Sequence, residues 1–453
     1  MRALDVLGPG GCYRSRRVET LREVTGNPVA TLSLAPTLYV GRAMKALRAA
    51  PPLPLDTRTE LFAAAARAFA TETIAGLTAA EYQRIVSATT GIPITVVRNA
   101  TGEIARAMAA IPDAVRQARP GGAADSWRDP RTRAGTAVWT RRGAVFAVHA
   151  AGNHPAVHQG WLDALALGYR VAVRPSRREP FTPHRMITAL RAAGFGDDRI
   201  VLLPTDHAAA GEILRQADLG MVYGGAEVIG KYAEDPRILP QGPGRSKILL
   251  TADTAWEPML DTLVESISGG GGVGCVNATG VLVEGDPAPV AAALAERLAA
   301  LPGLPPTDPA AVLPVAPLGL AQRWDAYLRQ RAAGTKAWLG GTGIVADLGD
   351  GSAVLRPAVH QLDSPFADQL GVELGFPCVW VAPWDRAAGI GPLRDTLVLT
   401  AATADTELIE QLVAEPSIAN VFLGDHPTPQ VAPGLPHDGY LAEFLMRTKT
   451  VRR

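Results

Sequence analysis

Residues Val145–Arg174 read VFAVHAAGNHPAVHQGWLDALALGYRVAVR. Two short apolar runs, Val145–His149 and Arg170–Arg174, flank a segment whose apolar residues recur at helical spacing from Val157 to Leu167. Strand, helix and strand in so short a span make the minimal unit of a parallel sheet, because parallel neighbours need a crossover and the crossover is usually a helix. The alternation continues through helix-like Pro183–Ala193, strand-like Ile200–Pro204, helix-like Ala208–Gln216 and strand-like Leu219–Tyr223. This rhythm predicts a doubly wound α/β unit, whose ligands bind outside the carboxyl ends of the strands.

Toward the N-terminus, TAVWTRRGAVFAVHA predicts two strands around Arg141, Arg142 and Gly143, and the Pro/Gly/Asp-rich piece Arg119–Arg131 predicts a loop. From Tyr39 to about Ala110 the pattern is helical, broken by Pro51, Pro52 and Pro54 and again by Gly91 and Pro93. Residues 1–40 read as irregular, with strand-like runs such as Val29–Leu34. Toward the C-terminus, Ser246–Ala252 predicts a strand, and a second alternating region runs from about Asp253 to Glu415. Two α/β units follow.

A chain of 453 residues is too long for one core, and 47% apolar with 19% charged residues is ordinary globular composition. Acidic and basic residues balance at 44 each, so no net field favours nucleic acid or an anionic membrane. Neither partner is expected. Three cysteines, Cys12, Cys275 and Cys378, suit a reducing cytoplasm better than a disulfide scaffold. No window reaches the roughly 18 apolar residues of a membrane span, and the N-terminus carries no apolar leader core, so a cytoplasmic protein is expected.

Ser268–Gly280, SGGGGVGCVNATG, sets Cys275 in a glycine-rich turn ahead of Val281, Leu282 and Val283. Cysteine is among the most buried residue types, and packing is its commoner use. Glycines that let backbone amides approach the sulfur point instead to a nucleophile. Gly224 and Gly225 follow a predicted strand and open a helix, a turn suited to a phosphate, although most such pairs are only turns. No GxGxxG stands in the sheet region. His149, His154 and His158 share no spacing with cysteine or carboxylate, so lining or structural roles are expected and no metal.

Taken in order, several segments resemble the aldehyde dehydrogenase superfamily from about Tyr39 to the C-terminus. They are TTGIPITVVRNATGEI, AGNHP at 151–155, VAVRPSRREPFTP at 171–183, VYGGAEVIG at 222–230, QGPGRSKILLTAD at 241–253, GVGCVNATGVLV, ELGFPCVWV at 373–381 and YLAEFLMRTKTV. The resemblance implies a fold of two doubly wound α/β domains plus a small β oligomerisation element. Residues 1–123 and 143–250 would form the NAD(P)-binding domain, 251–436 the catalytic domain, and 124–142 with 437–453 the oligomerisation strands of a homodimer or homotetramer. It places Cys275 at the catalytic thiol, Asn153 at the side-chain amide of the oxyanion site, and Glu373 at the carboxylate for the nicotinamide ribose. Arg174, Ser176, Gly224 and Gly225 fall on cofactor-binding positions.

Two departures from the pattern carry the functional expectation. Gln241 stands where the family has its general-base Glu, and an amide accepts no proton near neutral pH. Without that base a Cys275 thioester is not drained to acid. The expectation is therefore NADPH-dependent reduction of an acyl thioester to an aldehyde, as in the members that lack the Glu, with acyl-CoA, a carrier-bound or an otherwise activated acyl group as substrate and an acyl carrier or activating protein as partner. Hydrolytic aldehyde oxidation and a catalytically silent scaffold are the alternatives. Secondly, Arg177 replaces the Glu that grips the adenosine ribose diol, which favours NADP(H) over NAD(H), since a guanidinium matches a 2′-phosphate.

Overall fold

The computed structural model describes residues 1–430, 432 and 434–453. A seven-stranded sheet runs in the order Ile238–Gln241, Leu219–Tyr223, Val145–His149, Arg170–Arg174, Ile200–Leu202, Val6–Gly8 and Gly11–Tyr13. The first five strands are parallel, and the two N-terminal strands extend the edge antiparallel. Every residue of Val145–His149 is buried, as expected of a parallel strand covered on both faces. Its side chains alternate between two cores. Phe146 and Val148 join Val171, Val173 and Met221 beneath the helices Leu55–Thr71 and Ile94–Gln117. Val145 and Ala147 join Ala172 and Val201 beneath Thr37–Ala49 and His207–Gln216.

The second sheet, also seven-stranded, runs Lys336–Leu339, Ala358–Gln361, Cys378–Trp384, Ala278–Glu284, Ser246–Leu250, Thr396–Ala402 and Ile418–Leu423. It repeats the layering. Leu249, Leu282 and Trp380 face one core, while Ile248, Val281 and Val379 face the other. Because Ile238–Gln241 closes the first sheet and Ser246–Leu250 lies inside the second, the sheets divide between Gln241 and Ser246. The expected boundary at 250 falls after a strand that belongs to the second unit.

The N-terminal residues read as irregular form five short strands, two on the first sheet and three in a separate small sheet with Pro28–Ser33 at its centre. Thr136–Arg141 pairs antiparallel with Met446–Val451 as a two-stranded ribbon. Leu441–Leu445, placed by the sequence in the terminal strand segment, is a helical turn, with Leu445 and Ala442 buried in the first core. The span 251–436 includes Val431 and Pro433, which lie outside the described residues. No described helix is long and apolar enough to cross a membrane.

Candidate active site

The carboxyl ends of the first sheet face the amino ends of the second, and the chain crosses between them in Gly242–Arg245. Cys275 lies just before the strand Ala278–Glu284 and Glu373 just before Cys378–Trp384. Asn153 comes from the loop after Val145–His149. The structure brings these three together: Asn153 Nδ2 donates to the Val273 carbonyl at 2.9 Å, and the Arg245 amide donates to Glu373 Oε1 at 2.5 Å.

The Cys275 loop is built by its neighbours. Gly270, Gly271 and Gly272 have φ of +63°, +81° and +65°, left-handed backbone that side chains disfavour. Asn277 then pins the turn: its Oδ1 accepts from the Gly274 amide at 2.9 Å, and its Nδ2 donates to the Gly269 and Ser266 carbonyls at 2.8 and 3.2 Å. On the other side, Ser246 Oγ donates to the Cys275 carbonyl at 2.9 Å. A Cβ at Gly244 would come within 1.8 Å of that same carbonyl oxygen. The crossing segment is thus in van der Waals contact with the thiol residue. Arg245 itself holds φ at +47°, an unfavourable conformation for a residue with a Cβ, and this turns its amide to Glu373.

Electrostatically the site is acidic. Burial pushes the Cys275 thiol up to about 12, Glu373 and Asp438 add to the shift, and the amides of Cys275 and Val276 pull against it. Burial also raises the Glu373 carboxyl. Tyr223, half-buried at the end of its strand, has its hydroxyl pushed well above the ordinary phenol range by desolvation and by the nearby Cys275, Asp438 and Asp163. A shift of this size keeps the thiol protonated near neutral pH. Gln241 ends its strand with its carbonyl accepting from the Gly224 amide at 3.1 Å.

One residue the sequence did not single out meets the sulfur. His437 Nε2 lies 3.9 Å from Cys275 Sγ. Its carbonyl accepts from Asn420 Nδ2, which also donates to the Leu397 carbonyl at 2.8 Å, so the second sheet holds the loop in place. His437 stands in a stretch with no periodicity and little likeness to the family, and nothing in the sequence points from it to Cys275.

The expected cofactor residues sit at the carboxyl ends of the first sheet. Arg174 Nε donates to Thr205 Oγ1 at 3.0 Å, and Ser176 Oγ accepts from the Arg178 amide at 3.2 Å. Gly224 packs against Val228, whereas a Cβ at Gly225 would meet nothing within 4 Å, leaving space for a ligand there. Arg177 is half-exposed and paired with Glu19 at 3.1 Å, with His207 Nε2 at 3.3 Å on its other nitrogen. Glu19, from the N-terminal stretch read as irregular, was missed. Arg178 turns away to cap the helix Ala79–Thr90, donating to the Thr90 carbonyl at 2.6 Å. Of the three histidines, His149 and His158 are buried and His154 caps the turn Pro155–Gln159 through Nδ1, which accepts from the Ala156 amide at 3.2 Å.

The sequence profile of the aldehyde dehydrogenase family matches residues 13–385. The chain belongs to the aldehyde dehydrogenase family. It is an NAD(P)-dependent oxidoreductase acting on aldehydes. Solved structures of the same fold include the 1-pyrroline-5-carboxylate dehydrogenase of Thermus thermophilus, 16% identical, with 99% of this chain and 92% of that one covered at a TM-score of 0.83. The aldehyde dehydrogenase KauB from Pseudomonas aeruginosa is 16% identical over 98% of this chain and 95% of its own, with a TM-score of 0.83. The indole-3-acetaldehyde dehydrogenase AldA of P. syringae, solved with NAD+, is 17% identical over 98% and 95%, with a TM-score of 0.82. At these identities the likeness is one of fold. A search of curated protein sequences finds no match. At the carboxyl ends of the first sheet, the open space at Gly225 and the strand end at Arg174 leave room for a ligand.

Proposed function

We propose that this enzyme reduces an acyl thioester to an aldehyde with NADPH, through an acyl group held on Cys275. The observation that carries the reading is Gln241. A carboxamide at the position of the family's general base leaves water without its activator, so an acyl-Cys275 persists until hydride arrives. Supporting it, Asn153 stands against the Cys275 loop with two amide hydrogens, of which the Val273 carbonyl takes one. The other, with the Cys275 amide, is available to a developing oxyanion. Bound NADPH supplies the hydride. Within the chain, Cys275 takes the acyl group, Asn153 steadies the charge on its oxygen, and Glu373 orients the nicotinamide ribose.

The first unit would hold the cofactor and the second the thiol. Arg174, Ser176, Gly224 and Gly225 would line the dinucleotide, and Arg177 would meet the 2′-phosphate once freed from Glu19, which selects NADP(H). The ribbon of Thr136–Arg141 and Met446–Val451 has an outer strand that is largely exposed, and an uncovered edge of this length suits pairing with a second copy in a homodimer or homotetramer. An acyl carrier or activating protein would deliver the substrate. The test is a panel of acyl-CoA and carrier-bound acyl groups with NADPH, scored for aldehyde. Family-typical oxidation of aldehydes to acids without thioester turnover would overturn the reading.

A further inference from the structure

The site lacks a carboxylate base at Gln241, yet its thiol is half-buried, faced by two carboxylates and shifted toward its protonated form. An imidazole from near the C-terminus comes within 3.9 Å of the sulfur. From the 3.9 Å contact between His437 Nε2 and Cys275 Sγ, we propose that His437 is the general base that takes the thiol proton as Cys275 attacks, and returns it to the leaving group.

Three observations support this assignment. The imidazole is anchored from behind: the His437 carbonyl is held by Asn420 in the strand Ile418–Leu423, so the ring reaches the sulfur from a fixed loop. Among the described residues, the other titratable groups that act on the thiol are less suited to the task. Glu373 is engaged by the Arg245 amide, Tyr223 donates its hydroxyl to the Val157 carbonyl at 3.4 Å, and Asp438 lies next to His437 in sequence and steadies its charged form. Finally, burial lowers His437 from its ordinary value while Asp438 opposes the shift, so the ring is neutral at pH 7 and free to accept. A neutral imidazole beside a thiol raised to about 12 is not a preformed ion pair. The proton moves only as the sulfur attacks.

The first half of the step concerns the thiol alone; the second rests on the thioester reading. As Sγ bonds to the acyl carbon, the S–H proton passes to His437 Nε2. As the bond from the acyl carbon to the carrier sulfur breaks, Nε2 returns that proton to the leaving thiolate. Cys275 thiol and acyl thioester become acyl-Cys275 and carrier thiol, and His437 ends as it began.

Alkylation of the full-length enzyme with iodoacetamide tests this without any substrate, followed by peptide mass at Cys275 with the exposed Cys12 as internal control. Wild type should gain reactivity as His437 loses its proton below pH 6.5 and then stay level to about pH 9. His437→Gln should slow Cys275 at pH 7.5 by about tenfold or more, with Cys12 unchanged, and give a rate that climbs with every pH unit. Asn420→Ala, which frees the loop, should move Cys275 in the same direction by less. A wild-type rate that climbs through pH 9 without levelling, or an unchanged rate in His437→Gln, overturns the proposal. Reactivity that depends on His437 in a protein that takes no acyl group upholds the base and removes only the thioester reading.

Discussion

Replacing Asn153 by Ala separates what this residue does for the loop from what it does for the reaction. The structural part is one hydrogen bond, Nδ2 to the Val273 carbonyl at 2.9 Å, worth about 1 kcal/mol net. The catalytic part is a donor to the oxyanion, for which removal costs roughly 2.7–4 kcal/mol, or about 100- to 1,000-fold in rate. Two assays on the same variant keep the parts distinct. Single-turnover transfer of an acyl group to Cys275, read by intact mass, passes through a tetrahedral oxyanion. Alkylation of Cys275 by iodoacetamide does not. Asn153→Ala should slow the first at least 100-fold and the second by no more than about fivefold, the effect of a loop that has lost one hydrogen bond. If both fall together, Asn153 only holds the Cys275 loop in place. If neither falls, it is no donor at all, and the site's assembly around the Val273 contact has been misread.

Gln241→Glu should restore water activation and raise acid formation from an aldehyde by about 100-fold or more, within the range for a positioned base; unchanged acid formation places water activation elsewhere. Arg177→Ala should weaken NADPH by about tenfold, the scale of one charge-assisted contact, and leave NADH within twofold; Glu19→Gln should strengthen NADPH, and equal effects on both cofactors would remove the 2′-phosphate assignment. Burial lowers His149 and His158 to about 3 and His154 and His184 to about 4, so each is neutral in the fold and binds a proton only on unfolding below pH 6.5. Stability from these four is full above that value and is lost as pH falls toward 4. Burial raises Asp163 and Glu179 to about 7, which opposes the loss as they protonate in the fold. Four against two leaves the unfolded chain binding more protons near pH 5, so the apparent melting temperature should drop steadily from pH 6.5 to 4.5. A flat or rising trend there would contradict the lowered values of these four imidazoles.

The first sheet was readable because its strands are buried on both faces and its helices are long enough to show their period. Val145–His149 and Arg170–Arg174 were placed to the residue, and Leu219–Tyr223 likewise. The strand Ile238–Gln241 carries no such signal, since Pro240 interrupts it and Gly242 and Pro243 follow at once. In residues 1–40 the strand-like run Val29–Leu34 corresponds to the observed Pro28–Ser33, whereas the other four strands are only three to five residues long, too short for alternation to register. Cys275, Asn153 and Glu373 were singled out by segments whose order resembles a family, and the fold brings them close together. Glu19 and His437 were invisible because each reaches the site only through tertiary structure, from the N-terminal strands and from the loop near the C-terminus. Arg178, next to Arg177 in the run RPSRRE, is instead spent on the Thr90 carbonyl, a partner that its sequence position does not show.

The central claim is that Cys275 carries an acyl group which water does not remove. Intact mass of the purified enzyme after exposure to acyl-CoA without cofactor measures it directly. The account predicts an added acyl mass on Cys275 that persists for minutes, is absent in Cys275→Ala, and is discharged as aldehyde when NADPH is added. No adduct from any thioester, with aldehyde plus NAD(P)+ yielding free acid in steady turnover, would contradict it.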